Sequence, residues 1–121
     1  VGFDALGWFD CVRTRDDCPG QPDAAGPYSA TVQAMALNPH HCLAIDDSDE
    51  GAAAAAAAGL RVLATPGIYT SSHRFHGAGL VLSDLGRPDA PFDVIRGNAH
   101  GHQFASLTAL QDWAEASVQA A

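Results

Sequence analysis

Lysine is absent from this chain of 121 residues, and its six basic residues are all arginine. Fourteen acidic residues give a net charge of −8 at pH 7. A chain this acidic has little to offer a nucleic-acid backbone, because phosphate binding depends on clustered Lys and Arg. The composition therefore argues against a nucleic-acid partner.

Long apolar segments are also lacking. No run approaches the roughly 20 apolar residues that a membrane-spanning helix needs, and the start, Val1-Gly2-Phe3-Asp4, has neither the basic nor the apolar stretch of a signal peptide. We therefore expect no membrane association. Because there is no initiator Met, we also expect that the chain begins inside a longer protein.

Cysteine is scarce, and its spacing fits no common framework. Cys11, Cys18 and Cys42 are an odd number and include no C-x-x-C pair. This argues against a disulfide-rich domain and against a zinc ribbon. Reduced thiols are typical of cytosolic proteins, so we predict a cytoplasmic location.

The overall composition is that of an ordinary globular protein, with 47% hydrophobic and 17% charged residues. The length is enough for one small domain with one core and not enough for two. We therefore predict a single domain over residues 1–121, without an internal repeat or a long linker.

Apolar spacing divides the chain into alternating helices and strands. A short strand within residues 6–14 is followed by a helix (27–37), a strand (42–45) and a helix that contains the alanine run 52–58. Two strands (60–65 and 79–83), a strand or extended segment (92–95) and a final helix from Ser106 complete the chain. A short helical turn is also expected within residues 71–76. This order predicts an α/β fold, a partial Rossmann-like three-layer sandwich of three to four mainly parallel strands with flanking helices.

Local signals predict how several of these elements begin, end and pack. The apolar run 42–45 indicates a strand buried on both faces. Ser48 or Asp49 is suited to cap the next helix, and Gly59 suits the left-handed position after its end. The final helix is predicted to bury an apolar stripe of Leu107, Leu110, Trp113, Ala114 and Val118.

The most informative feature is the acidic loop Asp46-Asp47-Ser48, directly after strand 42–45. Ligands of open α/β sheets bind at the carboxyl ends of the strands, and carboxylate oxygens suit Mg²⁺. Successive side chains on a strand point to opposite faces, so Asp47 is a slightly better candidate than Asp46 for direct coordination. The alternative is that both are solvated loop acids.

Residues 41–66, HCLAIDDSDEGAAAAAAAGLRVLATP, resemble the fourth motif of the haloacid dehalogenase superfamily and the βα unit that follows it. Residues 6–17 resemble the segment ahead of its third motif. Residues 68–96 are similar to its CbbY-like subgroup, which is related to phosphoglycolate phosphatase and β-phosphoglucomutase. The matching positions are Asp46, Asp47, Ser48, Gly51, Gly59, Phe75, Gly77, Ala78, Leu82, Leu85, Gly86 and Pro88.

The resemblance implies a Mg²⁺-dependent phosphatase or phosphomutase for small sugar phosphates, with Asp46 and Asp47 as metal ligands. It also implies that the chain is the C-terminal portion of a core domain, because the sequence contains neither the family's D-x-D-x-T nucleophile motif nor its cap domain. In the family, the nucleophile strand lies beside the strand that ends in the acidic loop. We therefore expect an unpaired strand edge here and self-association through it.

The lysine of the family's third motif falls on Gln21. Phosphoryl transfer depends on charge stabilisation, which an uncharged side chain cannot supply, and Arg13 and Arg15 match the motif poorly. We assign no catalytic residue and expect no turnover by this chain alone. A degenerate, non-catalytic domain is therefore a second hypothesis.

A third hypothesis is a metal-binding module built from histidines. His73 with His76 and His100 with His102 form two close pairs that could supply four nitrogen ligands. No feature of the sequence brings the two pairs together.

Overall fold

The computed structural model describes residue 11 and residues 26–67, 74–75 and 77–120. Within these residues, four strands form one sheet in sequence order: β1 (Leu43–Asp46), β2 (Arg61–Ala64), β3 (Leu80–Leu82) and β4 (Val94–Arg96). The first three are parallel, and β4 runs antiparallel to β3. The predicted α/β class with mainly parallel strands is confirmed.

Helices cover both faces of this sheet. They are α1 (Gly26–Ala34), α2 (Asp49–Ala57) and α3 (Leu107–Ala120), with a short 3-10 helix (Pro39–His41) ahead of β1. Alternation along β2 creates two cores, because Val62 and Ala64 face the α2 side whereas Leu63 faces the α3 side. None of the helices in the described part of the chain combines the length and the apolar character needed to cross a membrane.

Helix α2 begins and ends where the sequence predicts. The Ser48 hydroxyl accepts a hydrogen bond from the Gly51 N–H at 3.0 Å and so caps its first turn. Gly59 follows its end with φ +87°, and the Leu60 N–H returns to the Ala55 carbonyl at 3.1 Å. Alanine side chains let the helix lie against the sheet, and Ala55 is fully buried.

Helix α1 is shorter than predicted, because it ends at Ala34 rather than at residue 37. Ala36 takes the left-handed conformation, with φ +53°, and the Leu37 N–H bonds back to the Val32 carbonyl at 3.1 Å. This closing motif normally uses Gly or Asn, so an alanine gave no sign of it in the sequence.

Strand β1 is covered on both faces only at its start, whereas the prediction was burial along the whole strand. Ala44 is buried on the α2 side and Leu43 packs against the α3-side core, but Ile45 is 42% exposed. Ile45 lies further along the strand than Leu43 and does not join that core. Among the described residues, β1 pairs only with β2, so its other backbone edge has no strand partner there.

Helix α3 buries only part of the predicted stripe, because Trp113 and Leu110 pack into the α3-side core but Leu107 does not. Ala109 and Trp113 are buried, whereas Leu107 is 72% exposed. Leu107 precedes Trp113 by six residues, which places it about a third of a turn away around the helix. The side chain of Val118 lies outside the described residues.

The last strand begins at Val94 instead of residue 92, and Phe92 packs into the α3-side core. The strand predicted within residues 6–14 and the turn predicted within 71–76 lie largely outside the described residues.

We predict that the edge of β1 without a described strand partner drives self-association and that Ile45→Lys reduces it, because a charged side chain on an edge strand disfavours strand pairing. Sedimentation velocity over a range of concentrations measures the effect. Leu85→Lys is the matched control, because Leu85 is 40% exposed but lies in a loop. A wild-type chain that stays monomeric, or an Ile45→Lys chain that associates like the control, would contradict the prediction.

Candidate functional site

The acidic loop lies at the carboxyl end of β1, where the chain turns into α2. Asp46 is the last residue of the strand, opposite Ala64 of β2, and its carbonyl accepts from the Thr65 N–H at 2.9 Å. Because side chains alternate along a strand, Asp46 projects to the same face as Ala44, toward α1 and α2.

The Asp46 carboxylate is held from two sides. The Tyr28 hydroxyl of α1 donates to its Oδ2 at 2.6 Å. The backbone N–H and the hydroxyl of Ser48 donate to its Oδ1 at 3.1 and 3.2 Å. The Ser48 hydroxyl therefore bonds the carboxylate while it caps α2, which couples the position of Asp46 to the start of that helix.

Tyr28 is a neutral hydrogen-bond donor at this site. Its burial raises the pKa of the hydroxyl above the usual 10.0, and the hydrogen bond to Asp46 and the charges of Asp46 and Asp47 act in the same direction. The hydroxyl stays protonated at neutral pH and adds no positive charge. Among the described residues, no arginine or histidine forms an ion pair with either aspartate.

Gly51 makes room for the Asp46 carboxylate. A Cβ at this position would lie 2.2 Å from both carboxylate oxygens, far inside van der Waals contact. The first turn of α2 can approach Asp46 only because residue 51 has no side chain, which is a steric reason for the glycine of the acidic motif.

Asp47 differs from its neighbour, because its side chain is exposed and forms no hydrogen bond or ion pair within the described part of the chain. Asp46 Oδ1 already accepts two hydrogen bonds, but Oδ2 accepts one and keeps a second lone pair. The pair can therefore offer two hard oxygen ligands. Mg²⁺ takes one or two carboxylates and completes its shell with water or phosphate, so these residues fit the ion.

Comparison with known proteins gives a consistent set of relatives, although no protein-family profile matches the chain. It is 35% identical over 114 residues to the plasmid-encoded protein CbbY of Cupriavidus necator, which is 93% of this chain and 44% of that protein. The chain is CbbY-like. It is also 38% identical over 77 residues to protein CbbY of Rhodobacter capsulatus, 64% of this chain and 34% of that protein. A CBBY-like protein of Arabidopsis thaliana matches at 34% over 75 residues, 61% of this chain and 23% of that protein.

The CbbY-like chain spans less than half the length of these relatives. The matched part includes the acidic loop, because the alignment with the plasmid-encoded protein covers nearly the whole chain. Gln21, Arg13 and Arg15, which bear on the third motif, lie outside the described residues.

The histidine constellation gains no support in the CbbY-like chain. His73 and His76 lie outside the described residues, and His102 Nε2 lies 2.7 Å from Asp112 Oδ2 while its ring packs edge-on against Trp113. Within the described residues, no group of three or more His, Cys, Asp or Glu side chains is arranged to hold a metal.

Tyr28 is the site residue that the sequence analysis missed. It lies within the helix predicted over residues 27–37, and its ring packs against the α2-side core. Its hydroxyl reaches an acid 18 residues further along the chain. Only the packing of α1 beside the end of β1 reveals this contact.

We predict that Gly51→Ala destabilises the chain, although alanine normally stabilises a helix relative to glycine by up to about 1 kcal/mol. The new methyl group would displace the Asp46 carboxylate. Urea unfolding measures the cost, which should shrink when Asp46→Ala is introduced as well. Gly79→Ala is the control, because a Cβ there meets no atom within 4 Å. An equal cost in both backgrounds would refute the steric explanation.

We predict that Tyr28→Phe costs about 1 kcal/mol in free energy of unfolding, the size expected for one hydrogen bond at a half-buried site. The cost should disappear in an Asp46→Ala background, since the partner is then gone. Thr31→Val is the matched control, because it removes another α1 hydroxyl that bonds only the Pro27 carbonyl. The free-energy cost of Thr31→Val should be the same with and without the Asp46 side chain. If the cost of Tyr28→Phe is also the same in both backgrounds, Tyr28 and Asp46 are not coupled.

Proposed function

We propose that the chain forms the metal-binding part of a Mg²⁺-dependent phosphatase or phosphomutase of the haloacid dehalogenase superfamily, acting on small phosphorylated substrates. The observation that carries the proposal is the arrangement of the two aspartates in the acidic loop. Hydrogen bonds hold the Asp46 carboxylate in place, whereas the Asp47 side chain is exposed. The reaction class comes from the resemblance of residues 41–66 to the fourth motif of that superfamily, and the similarity to CbbY agrees with the CbbY-like part of the resemblance.

The electrostatics of the loop favour a divalent cation. Two carboxylates stand next to each other without a cationic partner among the described residues, and Tyr28 and Ser48 hold one of them without neutralising it. When bound, Mg²⁺ would supply positive charge toward a phosphoryl group. The chain's own contribution is to orient Asp46 through Tyr28 and Ser48 and to leave Asp47 accessible.

The proposed reaction also needs a nucleophile and a positive charge near the phosphoryl group. The sequence contains no D-x-D-x-T motif, and Gln21 stands at the lysine position. We therefore expect this chain alone to bind the metal without hydrolysing phosphate esters.

A Mg²⁺ titration followed by NMR tests the proposal. The amide signals of residues 46–48 should shift and saturate, and Asp47→Asn should weaken binding by about tenfold or more, because it removes a charged ligand. Asp89→Asn is the control, since it removes an exposed carboxylate that pairs only with Arg87. If residues 46–48 do not respond, or if Asp47→Asn binds as tightly as the control, the loop is not a metal site.

A non-catalytic domain is the second candidate, and Gln21 is the observation that favours it. The coding sequence upstream of Val1 separates the two, because a catalytic protein must encode a D-x-D-x-T strand. If that strand is present, Gln21→Lys in the longer protein should raise the hydrolysis of p-nitrophenyl phosphate. If activity stays absent after that change, the scaffold has lost its chemistry.

A further inference from the structure

A cavity of about 500 Å³ lies at the amino end of the parallel strands, opposite the acidic loop. Leu43, Arg61 and Leu80 are the first residues of β1, β2 and β3, and all three line it. Asp46 is three residues further along β1, at the other edge of the sheet, about 10 Å away along the strand. The cavity is therefore separate from the candidate metal site.

The lining of this cavity contrasts with the charge of the chain. Its polar members are Arg61, Asn98, His40 and His100, and none of the described residues that line it is acidic. The chain as a whole carries a net charge of −8. An arginine without a carboxylate among the described lining residues favours a negatively charged occupant.

Arg61 is held in a position from which it can bind a ligand. Its Nε donates to the His40 carbonyl at 2.8 Å, which ties the guanidinium to the 3-10 helix. Its two terminal nitrogens form no hydrogen bond with any described residue. They keep the paired geometry that suits a carboxylate or a phosphate.

Hydrogen bonds also hold the loop after β4, residues 97–101, in place. Asn98 Oδ1 accepts from the His100 N–H at 2.8 Å, and this leaves the Asn98 amide nitrogen as a donor. The Trp113 Nε1–H donates to the Ala99 carbonyl at 3.0 Å in a buried contact, which anchors the loop on α3. Donors that are already ordered lose little entropy when a ligand binds.

The remaining walls are apolar. Leu43 and Leu80 begin two of the strands, and Trp113 closes the cavity from α3. The volume lies in the range of sites for small organic ligands, about 300–1,000 Å³. An apolar wall with a few placed polar groups is also typical of such sites.

We infer that this cavity binds a small organic anion, a carboxylate or phosphate group attached to an apolar body. The anionic group would pair with Arg61 and the Asn98 amide, and the apolar body would lie against Leu80 and Trp113. The inference does not depend on the proposed function, because no residue of the acidic loop takes part.

Titration with phenyl phosphate, with benzoate and with neutral benzyl alcohol tests the inference. We follow the Trp113 indole N–H and the amides of residues 97–101 by NMR. At least one of the two anions should give saturable shifts and bind about tenfold or more tightly than benzyl alcohol, since the charge contributes to binding. Saturation by one anion only identifies the phosphate or the carboxylate as the preferred group.

Asn98→Asp is the most specific variant. It retains the side-chain oxygen that accepts from His100 but replaces the donor by a negative charge. Anion affinity should fall by about tenfold or more, while the Trp113 signal of the free protein reports an intact loop. Arg61→Gln should weaken binding similarly, and Arg87→Gln, at an exposed position, is the matched control.

Three results would overturn the inference. The first is that neither anion produces saturable shifts. The second is that benzyl alcohol binds as tightly as the anions. The third is that the Asn98→Asp and Arg61→Gln variants bind the anion as tightly as the Arg87→Gln variant. Each of them shows that Arg61 and Asn98 do not form an anion site.

Discussion

Parallel pairing of β1 with β2, with α2 as the crossover between them, fixes the positions of the acidic loop and of the amino-end cavity. The register places Leu43 beside Arg61 at one edge and Asp46 beside Ala64 at the other. Parallel strands need such a crossover, and α2 can lie close to the sheet because the residues it buries are alanines. Any shift in this pairing would move the acidic loop and the amino-end cavity together.

The acidic loop shows how a neutral donor can order a charged group without cancelling its charge. An arginine beside Asp46 would hold it as firmly but would also compete with a bound cation. Tyr28 and Ser48 supply three hydrogen bonds and no charge. Gly51 completes the arrangement by leaving space for the carboxylate. The loop is thus ordered without a cationic partner among the described residues.

Arg96 of β4 stabilises the segment that connects β2 to β3. Its guanidinium donates to the Arg74 carbonyl at 2.7 Å, to the Phe75 carbonyl and to the Ala78 carbonyl at 3.0 Å. Three backbone acceptors in an irregular segment are satisfied by one side chain from the antiparallel strand. β4 therefore does more than extend the sheet, because it orders the connection that precedes β3.

The predictions that succeeded depend on residues close together in the chain. Apolar runs gave the order of the strands, and Ser48 and Gly59 marked the start and end of α2. A capping hydroxyl and the N–H that it binds are three residues apart, so their geometry follows from the local sequence. The position of Asp46 and Asp47 at the end of β1 likewise follows from the apolar run directly before them.

The predictions that failed depend on partners far along the chain. Spacing alone could not show that Leu107 faces solvent or that Ile45 lies beyond the α3-side core, because exposure depends on which element covers each face. The contact of Tyr28 with Asp46 and the meeting of Arg61 with Asn98 around one cavity arise only when separate elements pack. The sequence by itself determined the order of elements, their caps and the acidic loop, because these depend on neighbouring residues. Tertiary packing alone decided which side chains are buried and which distant groups meet, because those contacts join parts of the chain that the sequence keeps apart.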